Sequence, residues 1–326
     1  MSTATRPTRA TTTRQPFWLA PMLATLTAQT PPDSGWSFEK KYDGYRALAF
    51  CAPQGVRLLS RNQLSLADDF PEVVEALRTL APPRCILDGE IIATRGRTSS
   101  FGALQQRLME RKGDSKLRIT YVLFDILHFA GHDTTALPLE ERRALLEQAL
   151  EWGAPLTFSR TLSGRGTTLL AAACRKGWEG LIGKRAGSTY QHRRSTDWLK
   201  FKCDKRQEFV IGGYTAPQGS RHGFGALLLG YYNATGQLCY AGKVGTGFDA
   251  ALLTSLGRTL ESLKQRDTPF DCGSALPREA TWVKPKLVGE VRFTEWTGDG
   301  HLRHPAFLGM RPDKSPRSVI RELPSP

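Results

Sequence analysis

Glu39-Lys40-Lys41-Tyr42-Asp43-Gly44-Tyr45-Arg46 is the stretch on which the reading of this chain turns. It sets two adjacent lysines before a turn-forming Asp-Gly pair and closes on an arginine. In an extended segment neighbouring side chains point to opposite faces, so Lys40 and Lys41 are not equivalent. The K-x-D-G-x-R register singles out Lys41. A free lysine amine has a pKa near ~10.4 and carries a proton at neutral pH. It becomes a nucleophile only where cations, a metal ion or desolvation lower that value. Alone, a K-x-D-G string is a modest signal.

Working outward, the chain continues in order with Ser60-Arg61-Asn62, Asp88-Gly89-Glu90, Phe124-Asp125, Glu179-Gly180 leading to Lys184, and Trp198-Leu199-Lys200-Phe201-Lys202. Cations suit phosphate, carboxylates suit a metal ion or a ribose, and an aromatic ring suits a base. Each residue also has a plainer reading. Phe124 lies in a β-type run and reads as core. Lys200 and Lys202 alternate with Leu199 and Phe201, as on a solvated strand face. Glu179 before a glycine reads as a turn residue. Together the ordered set favours chemistry over separate coincidences.

A chain of 326 residues is long enough for two domains. Hydrophobic content of 40% and charged content of 23% are ordinary for a globular protein, but a net charge of +14 is not. Such an excess predicts a polyanionic partner, because lysines and arginines on phosphates release counterions. Residues 207–326 hold 14 Lys+Arg against 11 Asp+Glu, so +11 of the excess lies before them. The six cysteines (Cys51, Cys85, Cys174, Cys203, Cys239, Cys272) form no C-x-x-C pair. That argues against a zinc module and a disulfide framework, and for reduced thiols and a cytoplasmic setting. No apolar run approaches membrane-spanning length. Pro16 and Pro21 interrupt Phe17-Trp18-Leu19-Ala20, which reads as the start of a folded domain rather than a secretory signal.

Residues 1–15 are rich in Thr and Arg and predict a basic disordered tail. Beyond them, β-type runs fall at 47–51, 56–60, 85–87, 90–93 and 119–125. Helical patterns lie between: one from Pro71 with Asp69 as N-cap, one over 139–150 with its charges apart from Leu145, Leu146 and Leu150, and one over 166–176 ending at Gly177. The character shifts near Cys203–Arg206. Runs at 209–214, 226–232 and 238–244, a helix at 249–263, and further runs at 282–284 and 290–296 suit a small β-barrel such as an OB-fold. Strands and helices mix without regular βαβ repetition, so the fold class is α+β.

The ordered set resembles the covalent nucleotidyltransferases: DNA ligases, RNA ligases and mRNA capping enzymes. Within them the chain is similar to the ATP-dependent DNA ligases, above all the ligase module of bacterial DNA ligase D and its stand-alone relatives. The marks are Pro21-Met22-Leu23-Ala24, Phe101-Gly102 with Leu104-Gln105-Gln106-Arg107, and Arg193-Arg194-Ser195 before Trp198. Further on are Glu208 to Tyr214, Gly242 to Phe248, Leu302-Arg303-His304-Pro305 and Arg311-x-Asp313-Lys314. The resemblance implies an adenylyltransferase domain at 16–206 and an OB-fold domain at 207–326. Lys41 would attack the α-phosphate of ATP and carry AMP. Glu39 would read the adenine amino group. Arg46 and Arg61 would bind ribose and the region of a 5′-phosphate. Glu90 would contact ribose or assist a metal ion, Phe124 would stack on the purine, and Glu179 would bind the metal. Arg194, Lys200 and Lys202 would surround the α-phosphate, and Arg311 and Lys314 the pyrophosphate. His192 stands where glycine is commoner, and Pro312 where an acidic residue is.

The activity so implied is sealing of 3′-OH/5′-phosphate breaks in duplex DNA by a monomer, with ATP as co-substrate and Mg²⁺ or Mn²⁺. The setting is bacterial double-strand-break repair beside a Ku-like end-binding partner, near the nucleoid. The chain would be a minimal stand-alone enzyme or one module of a longer one. Rival readings are a GTP-dependent mRNA guanylyltransferase, an RNA ligase, and a non-enzymatic OB-containing nucleic-acid-binding protein.

Overall fold

In the computed structural model the described residues are 11–27, 29, 34–95, 98–99, 104, 107, 117–217, 219, 222–273, 276–277 and 279–322. The chain divides into two compact units between Cys203 and Asp204.

The first unit runs β1 (Thr11–Thr12), β2 (Leu23–Leu26), β3 (Trp36–Lys40), β4 (Tyr45–Ala52), β5 (Gly55–Ser60), α1 (Pro71–Leu80), β6 (Cys85–Arg95), β7 (Thr98–Ser99), β8 (Arg118–Phe129), β9 (His132–Asp133), α2 (Leu139–Ala149), β10 (Leu156–Phe158), β11 (Thr161–Leu162), α3 (Gly166–Arg175), β12 (Gly180–Arg185) and β13 (Arg194–Lys202). One sheet has the order β1-β9-β8-β6-β4-β5, with β10 on β8 and β7 on β6. The other has the order β11-β3-β12-β13-β2. Alternation in β4 explains how the two are used. Tyr45, Ala47, Ala49 and Cys51 enter a core with α1 and α2, whereas Leu48 and Phe50 enter a second cluster with Phe124, Tyr190 and Trp198. Phe124 therefore packs where residues of both sheets meet.

Several local expectations change. Residues 1–10 of the expected tail lie outside the described residues, but Thr11–Thr12 pairs with β9 and Gln15 donates to the Cys85 carbonyl. The two runs at 85–87 and 90–93 are one strand, since Gly89 sits inside it against the Tyr121 ring, where a Cβ would not fit. Asp69 is not the cap of α1; Phe70 occupies that position without a side-chain hydrogen bond, and Pro71 sets the first turn. Helix α2 does not keep its charges apart from the core. Arg142 is wholly buried and Arg143 nearly so. Arg142 meets Asp125 through two hydrogen bonds of 2.8 and 3.0 Å and also donates to the Leu137 and Ser188 carbonyls. Gly177 does close α3, with φ at +67° and its N–H on the Cys174 carbonyl.

The cysteine expectation is corrected as well. Cys174 bonds to Cys203 and Cys239 to Cys272, while Cys51 and Cys85 are free and buried. The partners lie 29 and 33 residues apart, and folding brings Cys174 of α3 to Cys203 just past β13 and Cys239 to Cys272 on a segment bridged to it.

The second unit contains β14 (Lys205–Tyr214), β15 (Leu227–Tyr232), β16 (Leu238–Val244), α4 (Ala250–Ser262), β17 (Lys264–Gln265), β18 (Thr281–Phe293), β19 (Glu295–Trp296), β20 (Leu302–Arg303) and β21 (Ala306–Met310). Its main sheet has the order β16-β15-β14-β18-β17, with β21 on β18. Asp249 caps α4 by accepting from the Leu252 N–H at 2.7 Å. The runs at 282–284 and 290–293 join as β18. Pro285, which lacks an N–H, falls where the pairing with β14 is interrupted between Trp282 and Leu287. Among the described residues no helix is long and apolar enough to cross a membrane.

Candidate active site

The register of β3, β12 and β13 decides which side chains share a face. Glu39 lies opposite Ile182, and Ile182 opposite Lys200; Gly180 lies opposite Lys202 and Lys184 opposite Trp198. Directly opposed residues stand on one side of a sheet. Glu39, Lys184, Trp198, Lys200 and Lys202 thus form one face. On the other, Phe38, Leu181 and Phe201 pack on Ala173 of α3. Lys40 is paired with Leu181, on that second face, and its ammonium lies over the rings of Tyr42 and Trp178.

Lys41 follows the end of β3, and its N–H is held by the Gly180 carbonyl at 2.9 Å. Two glycines allow close approaches of backbone on either side of it, Gly44 to β6 and Gly180 to β13. A Cβ on Gly44 would collide with the Ile91 carbonyl oxygen, and one on Gly180 with the Phe201 carbonyl oxygen. The Lys41 ammonium lies 2.5 Å from Glu179 Oε2. Burial works to lower its pKa, but Glu179, with Asp43 and Glu90, outweighs burial and the net shift is upward. Without other ligands Lys41 is a paired ammonium. Glu90 stands on β6 opposite Arg46.

Arg46 makes a two-pronged contact with Asp88, Nε to Oδ1 and Nη2 to Oδ2, each at 2.5 Å. Burial opposes the charge on Arg46, and Asp88 more than restores it. Tyr190 donates to Asp88 Oδ2 at 2.6 Å and accepts from the Met22 N–H at 2.8 Å. This network explains why Pro21-Met22 and the β13 approach belong to the site. The Arg46 guanidinium and the Lys184 ammonium lie 4.5 and 4.7 Å from the centre of the Phe124 ring, which is 8% exposed. Burial lowers the pKa of Lys184, against the pull of Glu39.

Glu39 is buried within reach of Arg143, Ser159 and Lys184. Arg61 follows β5 in the turn with Asn62 and is half-buried. Arg194 opens β13, is exposed, and donates to the Ala24 carbonyl at 2.6 Å. His192 does not have a positive φ, so no glycine is needed there; its Nδ1 lies 2.9 Å from the Ala20 carbonyl. Arg107 bonds Glu72 at 2.8 Å, whereas Phe101, Gly102, Gln105 and Gln106 lie outside the described residues.

Arg311 and Lys314 follow β21 in the second unit. Arg311 grips Asp313 with two bonds of 2.9 Å and lies 3.1 Å from Glu290; Lys314 lies 2.8 Å from Glu208. Burial opposes the Arg311 charge, and Asp313, Glu208 and Glu290 raise its pKa well above the ordinary value.

Among the described residues no group of three His, Cys, Asp or Glu side chains is arranged to hold a metal ion. Glu179, Asp43 and Glu90 are the carboxylates whose charges act on Lys41, and Glu179 and Glu90 are the two that the sequence assigns to a metal ion. A magnesium site of one or two carboxylates completed by substrate phosphates fits that donor set. Sequence reasoning missed Asp88, Arg143, Ser159 and Tyr190. Asp88 carried a signal, as the residue before the Gly89-Glu90 pair. Arg143 carried none, because it looks like a solvated helix charge.

Comparison with known proteins completes the description. Residues 21–202 match the ATP dependent DNA ligase domain, and residues 220–314 match the ATP dependent DNA ligase C terminal region. The multifunctional non-homologous end joining protein LigD of Pseudomonas aeruginosa is 45% identical over 96% of this chain, which spans 38% of that relative's length. DNA ligase C of Mycobacterium tuberculosis is 33% identical over 92% of both chains. A solved structure of mycobacterial DNA ligase D complexed with ATP and MES superposes with a TM-score of 0.66 at 37% identity, over 93% of this chain and 98% of that one.

Proposed function

The chain belongs to the ATP-dependent DNA ligases, a nucleotidyltransferase domain followed by an OB-fold domain, and from that premise we propose that it seals 3′-OH/5′-phosphate breaks in duplex DNA through a lysyl-AMP on Lys41. The observation that carries this reading is the Lys41–Glu179 pair, at the end of β3 and the start of β12, two strands that with β13 carry Glu39, Lys184, Lys200 and Lys202 on one face.

In the first step Lys41 gives up its ammonium proton, with the Glu179 carboxylate as the adjacent acceptor, and the amine attacks the α-phosphorus of ATP, its second proton passing to solvent as the bond forms. A nitrogen–phosphorus bond forms, the bond to the bridging oxygen breaks, and pyrophosphate leaves with the electron pair. AMP then passes to a DNA 5′-phosphate, releasing Lys41, and the 3′-hydroxyl oxygen displaces AMP to join the strands. Each step is a phosphoryl transfer, so the protein's contribution is placement and neutralisation of charge. Glu39 takes the base, Lys200 and Lys202 take the α-phosphate with Arg194 at the strand's start, and Arg46 and Arg61 take ribose and the DNA 5′-phosphate. Phe124 supplies an apolar ring beside the base. Glu179 and Glu90 are the side chains for Mg²⁺, which when bound offsets phosphate charge. Arg311 and Lys314 take the pyrophosphate.

The names of the LigD relatives support a role in non-homologous end joining. A Ku-like partner, a monomeric state and a place near the nucleoid are part of the same proposal. The test is ligation of nicked and of broken DNA with ATP, GTP or NAD⁺, with and without a Ku-like protein. ATP-specific sealing is expected. A GTP-specific adduct without sealing would favour guanylyl transfer instead.

A further inference from the structure

The two oxygens of the Glu39 carboxylate are served unequally. Oε1 accepts from Arg143 Nη1 at 2.7 Å and lies 2.6 Å from Lys184 Nζ, an ion pair whose approach is not aligned as a hydrogen bond. Oε2 accepts from Ser159 Oγ at 2.6 Å. A carboxylate offers about four acceptor positions. Two cations cover Oε1 and one hydroxyl takes a position on Oε2, so among the described residues Oε2 keeps one position to give.

Arg143 is itself fixed. Its Nη2 donates to the Ser159 carbonyl at 2.6 Å, and its Nη1 is 3.4 Å from the Phe124 carbonyl. Ser159 is fully buried, and its hydroxyl offsets part of the upward push that burial gives the phenol of Tyr42, the variable residue of K-x-D-G. Glu39, Ser159, Arg143 and Lys184 are all buried, so none of them is a solvated surface charge or hydroxyl.

We propose that Ser159 and Arg143 are specificity-determining positioning residues, which pin Glu39 so that its remaining acceptor position meets the exocyclic group at C6 of the nucleotide's purine. The inference rests on the reading in which Glu39 contacts the base. An amino group at C6 donates into that position. A carbonyl there sets lone pair against lone pair in a site closed to water, and is rejected. Removing the Ser159 hydroxyl opens room for a water molecule, which presents a donor or an acceptor on demand. Removing Arg143 leaves Lys184 as the one cation on Oε1, beside the Ser159 bond to Oε2, and lets the carboxylate turn.

The experiment is single-turnover formation of the covalent adduct by the full chain with Mg²⁺ and either ATP, GTP or the triphosphate of unsubstituted purine riboside. In Ser159→Ala the ratio of kcat/KM for ATP over GTP is expected to fall about tenfold or more, and Ser159→Thr, which restores a hydroxyl, recovers part of it. Arg143→Lys is expected to lose selectivity in the same sense. Purine riboside triphosphate, with neither group at C6, falls between ATP and GTP in the parent and converges with both in Ser159→Ala. If Glu39→Ala loses selectivity while Ser159→Ala and Arg143→Lys keep it, the inference is overturned and the reading of Glu39 stands. If Glu39→Ala is as selective as the parent, the reading itself falls and takes the inference with it. Equal losses with ATP and GTP in Ser159→Ala mean a purely structural role and also overturn the inference.

Discussion

At the scale of single residues, Lys41 is stored in its unreactive form. Its ammonium is paired with Glu179, and its pKa is raised despite burial. Lys41→Ala is expected to abolish the covalent adenylate and Lys40→Ala to retain it, since Lys40 stands on the other face of β3. Peptide mapping of labelled AMP checks both, and label on any lysine but Lys41 would refute the assignment. Glu179→Gln should lower the Lys41 pKa, because burial then weighs more once the nearest opposing charge is gone. Acylation of Lys41 followed against pH reads this without ATP; an unmoved midpoint would count against the pair. The sign for stability is the reverse of an acidic group's. A raised lysine pKa means the pair's contribution is complete below the unfolded value of ~10.4 and is lost as pH rises through the folded value. Lys41, Glu39 and Glu179 were legible because they recur in a fixed order along the chain. Arg143 and Ser159 were not, since a buried arginine and a lone serine have no local pattern and reach Glu39 only through the packing of α2 and the end of β10.

Secondary-structure elements were read well where apolar β-type runs were dense. The runs that became β4, β5 and β8 fall inside the observed strands. Joins between short runs were missed, because a glycine or proline that looks like a break was absorbed by packing, as at Gly89 and Pro285. Gly44 makes a prediction at this scale. Its place beside the Ile91 carbonyl ties the K-x-D-G loop to β6, so Gly44→Ala must move one or the other. The expected cost is about 1–3 kcal/mol of stability, with a larger loss in adduct formation than in folding. Urea unfolding beside adduct yield tests this, and a fully active, fully stable variant would show that the loop tolerates displacement.

For the whole molecule, charge is the dominant fact. The excess of +11 before residue 207 predicts that affinity for duplex DNA falls steeply with salt, by at least about tenfold between roughly 50 and 200 mM. A Kd flat across that range would contradict an electrostatic interface. Charge in the second unit is differently arranged. Arg311 sits among three carboxylates, so Arg311→Ala strands buried negative charge and weakens that unit. Lys314→Ala is the cleaner probe, and is expected to slow self-adenylylation more than sealing of a pre-adenylylated nick; equal effects would refute a pyrophosphate role. The cysteines carry a last consequence. Each disulfide closes within one unit, Cys174 to Cys203 and Cys239 to Cys272, and neither crosses from one to the other. Topologically the chain is two closed loops on a string, and a single peptide strand is all that covalently joins them. One protease cut between Cys203 and Lys205 would therefore release two fragments that run apart on a denaturing gel even without a reductant.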